Sequence, residues 1–236
     1  MVSKLRRRSG VSVGYFAHLL GWDANVIYQV GIGQLHDETD VLKDIWPDAK
    51  FVGFEPHPKI IANLKQAGYP GMLFDYAVSD FNGEAALYGK SNHKDGSSLF
   101  PQGKKHEREK YQEIKVKVAT FDTLFPNPKM FGEPILLWLD CEGSEMRVLH
   151  GGTEFIESVD VINIEMTANP VNEGWADTVE IHNFLMENGF YRQHVHTQRS
   201  GQGQCDAIYV RPHIFDPRFC CCPCQVDRYR KEHNEV

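Results

Sequence analysis

The segment that most constrains this chain is Ile135-Leu136-Leu137-Trp138-Leu139, five apolar residues in a row, closed by Asp140. A half-exposed strand alternates polar and apolar residues. An unbroken apolar run this short reads as a strand buried on both faces, as in a parallel sheet covered by helices. The neighbouring segments fit that reading. Val26 to Val30, Lys50 to Phe54, Met72 to Val78 and Val159 to Ile164 are further strand signals. Between them, Val41, Leu42, Ile45 and Trp46, then Ile60, Ile61 and Leu64, recur at helical spacing, and a helix is expected from about Thr178 to Asn188. Alternating strands and helices argue for an α/β fold with a mostly parallel sheet. Strands around Tyr191 to His196 and Ala207 to Val210 are separated by a polar, Gly-rich loop with no helix. They predict a C-terminal hairpin and one antiparallel strand.

Around this core the expected divisions are an N-terminal extension over 1–25, a domain over 26–211 and a Cys-rich tail over 212–236. Lys4 to Arg8 reads as a solvated basic head. Ala85-Leu87-Tyr88 and Ile114-Val116-Val118 suggest two more exposed strands. The polar stretch from 89 to 113, containing Ser97-Ser98-Leu99, is expected to be a lid over an acceptor. The whole chain of 236 residues is one domain's length. Its 25 basic and 32 acidic residues leave a net charge of −7, the wrong sign for a protein that neutralises nucleic-acid phosphates. No run of eighteen apolar residues is present, so no membrane span is expected. Cys220, Cys221, Cys222 and Cys224 form a patch with no second pair at a zinc-site spacing. They are expected to be reduced, and the cytoplasm is the simplest location.

In a wound sheet, ligands bind beyond the carboxyl ends of the strands. After the first strand come Gly31 and Gly33, where a tight turn and close ligand approach need no Cβ. After the second comes Glu55, 22 residues beyond Gly33. An acid about 20 residues past a glycine turn suits the ribose hydroxyls of an adenosine. A dinucleotide fingerprint would have a third glycine where this chain has His36. That argues against a pyrophosphate and for an adenosine ligand without one, such as S-adenosylmethionine. Asp75 and Ala77 follow the third strand, a place for a polar group at the adenine edge and a small residue beside its face. Asp140, Glu142 and Glu145 follow the fourth, and Glu165 ends the fifth. Glu142 and Glu145 also suit a helix N-terminus, where acids are favoured. His36 is the histidine placed to act as a base, while His57, His194 and His196 are read as surface or packing residues.

Several blocks in series carry a resemblance: Val30-Gly31-Ile32-Gly33, Phe51-Val52-Gly53-Phe54-Glu55-Pro56, Ala77-Val78-Ser79-Asp80, Ser97-Ser98-Leu99, Thr120-Phe121-Asp122-Thr123-Leu124, Leu139-Asp140-Cys141-Glu142-Gly143-Ser144-Glu145 with Leu149-His150-Gly151-Gly152, and Ile164-Glu165. In this order, over about 26 to 192, the chain resembles the FkbM family of S-adenosylmethionine-dependent methyltransferases. The resemblance implies a class I methyltransferase fold and O-methylation of a hydroxyl on a sugar, glycan or small natural product. Gln29 stands where the family has an Asp that helps hold the methionyl amine, and Ile32-Gly33 replaces Ala-Asn. The expected cofactor-binding residues are Gln29, Gly31, Gly33, Glu55, Asp75, Ala77 and Asp140, and the expected catalytic residues are Asp140 and His36.

For Asp140 three roles stay open: binding the methionyl end, taking the acceptor's proton, or joining Glu165 around a divalent metal. The proton-taking or acceptor-orienting role is the reading adopted, since two acids and a histidine make a thin shell for a metal. Two other functions remain. A non-catalytic relative would bind the cofactor or a partner without turnover. A nicotinamide-dependent oxidoreductase would use Gly33 and Glu55 equally well, but the missing third glycine argues against it.

Overall fold

The computed structural model describes residues 9–33, 37–90, 96–101, 111–170, 173–197, 203–220 and 222–233. Its centre is a seven-stranded sheet in the order β3-β2-β1-β7-β8-β10-β9. The strands are β1 (Val26–Val30), β2 (Lys50–Phe54), β3 (Met72–Phe74), β7 (Ile135–Leu139), β8 (Val161–Thr167), β9 (Tyr191–Thr197) and β10 (Gln204–Val210). From β3 to β8 all neighbours are parallel. β10 runs antiparallel to both β8 and β9. This is the expected α/β sheet, mostly parallel with a C-terminal antiparallel hairpin.

β7 is buried on both sides, as its run of apolar residues requires. Leu137 and Leu139 join Tyr28, Val30, Ile162, Ile164 and Phe155 in the core on one face. Leu136 and Trp138 join Ile27, Phe51 and Ile208 on the other. The second face is covered by α1 (Ser9–Leu20) and α2 (Asp37–Ile45), which supply Val13, Ala17 and Leu42. α4 (Phe121–Leu124), α5 (Glu145–His150), α6 (Thr153–Glu157) and α7 (Thr178–Glu187) supply Phe121, Val148, Leu149, Phe155, Ile156, Ile181 and Leu185 to the first. α3 (Pro58–Ala67) packs Ile60 and Leu64 on Ile32. Among the described residues no helix is long and apolar enough to cross a membrane.

Three expectations are revised. The strand expected over Met72 to Val78 is two strands that separate at Asp75. β3 stays in the main sheet, while β4 (Tyr76–Val78) pairs with β6 (Tyr111–Ala119), which also pairs with β5 (Gly83–Lys90) in a second, three-stranded sheet. Asp75 is exposed at the junction and is held there by Lys117 of β6 at 2.9 Å.

Residues assigned to an N-terminal extension pack onto the domain. The serines and glycines that interrupt the apolar pattern of α1 lie in a helix whose Val13 and Ala17 are buried. A Cβ on Gly14 would stand 2.4 Å from the Cδ1 of Ile45, so glycine leaves room for that side chain between α1 and α2. Trp22 then meets Trp46 edge-on at 5.7 Å.

The C-terminal segment also packs. α8 (Pro223–His233) lays Tyr229 against Tyr191 and Phe215, with ring centroids 5.6 and 5.0 Å apart. In place of a wholly reduced cysteine patch, Cys222 and Cys224 are disulfide-bonded, and Cys220 is a free thiol.

Candidate functional site

The carboxyl ends of β1, β2 and β7 meet at one cavity, as sheets of this kind require. Gly31 and Gly33 form its floor and both take positive φ, +78° and +70°. The Gly31 N–H donates to the Phe54 carbonyl at 3.1 Å, and the Asp140 N–H donates to the Val30 carbonyl at 3.0 Å. These bonds extend the ladders of β1 by one residue and bring three strand ends to one place. Glu55 is buried beside them. Its carboxylate accepts from the Gly33 N–H at 3.2 Å and from the His57 N–H at 2.8 Å. Two backbone donors thus orient a carboxylate that lines the cavity. His57, buried, accepts from the Lys59 N–H at 3.2 Å and caps α3, a structural duty.

The far wall comes from the second sheet and the segment after it. Tyr76, Ala77, Val78 and Leu87 face the cavity, joined by Gly96, Ser97 and Leu99. Ser98 locks that segment in place. Its backbone pairs with Tyr88, and its hydroxyl donates to the Glu142 carbonyl at 2.7 Å. The described part of the expected lid therefore forms a wall of the cavity, while 91–95 and 102–110 lie outside the described residues.

Asp140 closes the cavity at the end of β7 and is half-buried. Its carboxyl is pushed well above the ordinary range. Burial is the largest cause, followed by the carboxylates of Glu165, Glu142, Glu145 and Asp206. Glu142 sits at φ +52°, an uncommon conformation for a residue with a side chain, and lines the cavity too. Glu145 is buried and accepts from the Cys141 N–H at 2.9 Å, so it holds the turn that presents Asp140. Burial raises its carboxyl, while bonds from backbone N–H groups of the same turn work against that rise. The Cys141 thiol is raised well above its usual value, by burial first and then by Glu145, Asp140 and Glu142. It is therefore protonated at neutral pH.

Glu165 stands directly opposite Asp206 in the β8–β10 register, and His196 stands opposite Asp206 in β10–β9. Like charges directly opposed in a strand pair are destabilising. Asp206 was not a sequence candidate, because it precedes the apolar run that marks its strand. Glu38 was missed as well. It lines the cavity from the first turn of α2, where an acid is unremarkable by sequence.

Of the expected site residues, Gly31, Gly33, Glu55, Ala77 and Asp140 line one cavity. Two do not. Gln29 is buried beneath it, its side-chain oxygen accepting from the Thr39 hydroxyl at 2.8 Å and the Tyr69 hydroxyl at 3.4 Å, so it ties β1 to α2. Asp75 faces solvent with Lys117. His36 lies outside the described residues. His194 is half-buried, and burial first, then His196, favours its neutral form. Among the described residues, no group of three or more His, Cys, Asp or Glu side chains is arranged to hold a metal.

The charge of the lining discriminates between ligands. Four carboxylates, those of Glu38, Glu55, Asp140 and Glu142, face the cavity, and no Lys, Arg or His is among its described lining residues. A pyrophosphate would meet four carboxylates and no basic side chain among these described residues. S-adenosylmethionine carries a sulfonium and an ammonium, and suits the same lining. At Gly31 a Cβ would lie 1.8 Å from the Asp140 carbonyl oxygen, so glycine is what lets the ends of β1 and β7 close up beside the cavity. The acidic donor set fits this cofactor.

Residues 28–191 match the methyltransferase FkbM domain. The chain is 29% identical over 164 residues to the 2-O-methyltransferase NoeI of Sinorhizobium fredii (strain NBRC 101917 / NGR234), a match covering 63% of this chain and 66% of that protein. It therefore spans just under two thirds of that relative's length. Similar solved structures include magnesium protoporphyrin IX methyltransferase from Synechocystis PCC 6803 with bound SAM, at 10% identity and a TM-score of 0.48, covering 89% of this chain and 81% of that one. The N-methyltransferase NodS from Bradyrhizobium japonicum WM9 is 7% identical with a TM-score of 0.49, covering 89% of this chain and 97% of that one.

Proposed function

The chain belongs to the FkbM methyltransferase family and depends on S-adenosylmethionine, and from that premise we propose that it methylates a hydroxyl oxygen of a sugar, glycan or small natural product. The observation that carries this reading is the acidic end of the cavity. Asp140 lines it, next to Glu142, and Glu165 and Asp206 are close enough to raise the Asp140 carboxyl. Carboxylates accept hydrogen bonds and so suit a hydroxylated acceptor. A carboxyl whose proton affinity is raised also makes a better acceptor for the proton of an alcohol. The name of the 2-O-methyltransferase relative supports an oxygen acceptor.

When bound, S-adenosylmethionine supplies an electrophilic methyl group on a positively charged sulfur. The chain's own residues have the remaining work. Glu55, fixed by the Gly33 and His57 N–H groups, holds the ribose hydroxyls. Gly31 and Gly33 let the ligand lie against backbone. Asp140 orients the acceptor hydroxyl and receives its proton as the oxygen–carbon bond forms, so no free alkoxide is needed. Much of the rate enhancement then comes from holding two reactants in line.

A screen of mono- and oligosaccharides and hydroxylated natural products, read by S-adenosylhomocysteine release, tests this reading. Turnover confined to nitrogen acceptors would overturn the oxygen assignment. Cofactor binding with no turnover on any acceptor would favour the non-catalytic relative. Glu55→Ala is expected to weaken S-adenosylmethionine binding by about 1.5–3 kcal/mol, the scale of hydrogen bonds to a charged group. Calorimetry giving wild-type affinity in a folded Glu55→Ala protein would remove Glu55 from the ribose site.

A further inference from the structure

Glu38 lies in the first turn of α2, half-buried, and lines the cavity. Its neighbour fixes its place. Thr39 is fully buried, and its hydroxyl donates to the Gln29 side chain of β1 at 2.8 Å. That bond anchors the turn carrying Glu38 to the strand that leads into Gly31 and Gly33. α2 covers the second face of the main sheet through Leu42. The apolar wall of the cavity, formed by Ala77, Val78, Leu87 and Leu99, comes from the other side, since Val78 belongs to the core of the first face. Glu38 and the apolar wall therefore reach the cavity from opposite faces of the sheet.

We propose that the Glu38 carboxylate binds the α-ammonium group at the methionyl end of the cofactor. This rests on the cofactor reading above and adds a contact to it. The three substituents of the sulfonium decide the placement. One is the methylene of the ribose, and the ribose belongs at Glu55. One is the methyl group, which has to face the acceptor beside Asp140 and Glu142. The third is the carbon chain that carries the ammonium, and it must leave in a direction that neither ribose nor acceptor occupies. The apolar wall suits the adenine ring and offers an ammonium no hydrogen-bond acceptor from its side chains. The side opposite that wall carries Glu38. A carboxylate there accepts charge-assisted hydrogen bonds from an ammonium. No Lys or Arg is among the described lining residues to compete for it. Gln29 then has a duty of its own. Uncharged and buried, it holds Thr39 and so positions Glu38.

S-adenosylhomocysteine keeps the ammonium but has no charge on sulfur, so it isolates the contact. The test is calorimetry of S-adenosylhomocysteine, its analogue lacking the α-amino group, and 5′-methylthioadenosine on wild type and Glu38→Gln. Wild type is expected to bind S-adenosylhomocysteine about tenfold more tightly than the deaminated analogue, the worth of one hydrogen bond to a charged group. Glu38→Gln is expected to bind S-adenosylhomocysteine about tenfold more weakly than wild type does, and to bind the two ligands without an ammonium as wild type does. Equal wild-type affinity for S-adenosylhomocysteine and its deaminated analogue would overturn the proposal whatever the variant does. Unchanged affinity for S-adenosylhomocysteine in Glu38→Gln would overturn it and leave the cofactor reading intact. An equal loss for all three ligands would also overturn it, since a merely structural role in α2 does not distinguish ligands by their ammonium. Absence of binding of all three to the wild type would instead reject the cofactor reading, and this contact with it.

Discussion

Gly31→Ala is expected to damage folding and cofactor binding together. Gly31 sits at φ +78°, where an L-residue with a side chain is strained by about 1–2 kcal/mol. Space is the larger problem. Its Cβ would stand 1.8 Å from the carbonyl oxygen of Asp140 and 2.7 Å from the carbonyl carbon. Both are backbone atoms, so no rotamer change relieves the contact. Either β1 or β7 must move at its carboxyl end, against the bond from the Asp140 N–H to the Val30 carbonyl. Strain and backbone displacement together predict a loss of roughly 2–5 kcal/mol. Affinity falls with stability, because the atoms that move are those that place Asp140. Gly21 is the control. It has a similar φ of +64° with nothing within 4 Å of a built Cβ, so Gly21→Ala should cost only the conformational part. Denaturant unfolding of both variants and calorimetry with S-adenosylhomocysteine check this. Equal stability losses at the two positions would show that the contact with Asp140 is relieved cheaply.

What was legible in the sequence was local. The apolar run of β7 announces a strand covered on both faces because each residue there has to be buried whichever way it points. Glu55 is readable because its distance from Gly33 spans one helix and one strand, a length the geometry of the βαβ unit restricts. The missing pieces depend on distant pairing. Met72 to Val78 reads as one strand because nothing nearby in sequence reveals that β6, more than thirty residues on, captures Tyr76 to Val78. Asp206 enters the acidic cluster only through its register with Glu165 across β8 and β10. α1 and α8 read as an extension and a tail because their buried faces are narrow and their partners, Trp46 for Trp22 and Tyr191 for Tyr229, lie far along the chain. Gln29 shows the opposite failure. The resemblance placed it at the ligand, but strand alternation turns it away from the cavity toward Thr39 and Tyr69.

Asp140→Asn is expected to cut turnover by about 10²-fold or more, the usual size for loss of a general base, while the unliganded protein becomes more stable at neutral pH. The two effects share one cause. The folded protein holds the Asp140 proton more tightly than an unfolded chain does, through burial first and then through Glu165, Glu142, Glu145 and Asp206. Stability from this group is fully present below the unfolded carboxyl value and is lost as pH rises through the raised folded value. Above the raised folded value the wild type carries an ionised, crowded carboxylate at a cost, and below it the wild type holds a proton that the unfolded chain has released; asparagine removes both. The melting difference between variant and wild type should shrink as pH falls toward about 4, the unfolded Asp value. Ligand binding runs the other way. A sulfonium placed beside Asp140 favours the ionised form, so binding expels the proton, and wild-type affinity for S-adenosylmethionine should rise with pH across the same window. S-adenosylhomocysteine, with no charge on sulfur, should show a shallower slope, and Asp140→Asn should flatten the slope for S-adenosylmethionine. Turnover in the wild type should climb with pH over that range as the base ionises. Near-wild-type turnover in a folded Asp140→Asn protein would take Asp140 out of the proton path. A slope with pH that survives in the variant would shift the titrating role to Glu165 or Asp206, the acids paired across β8 and β10.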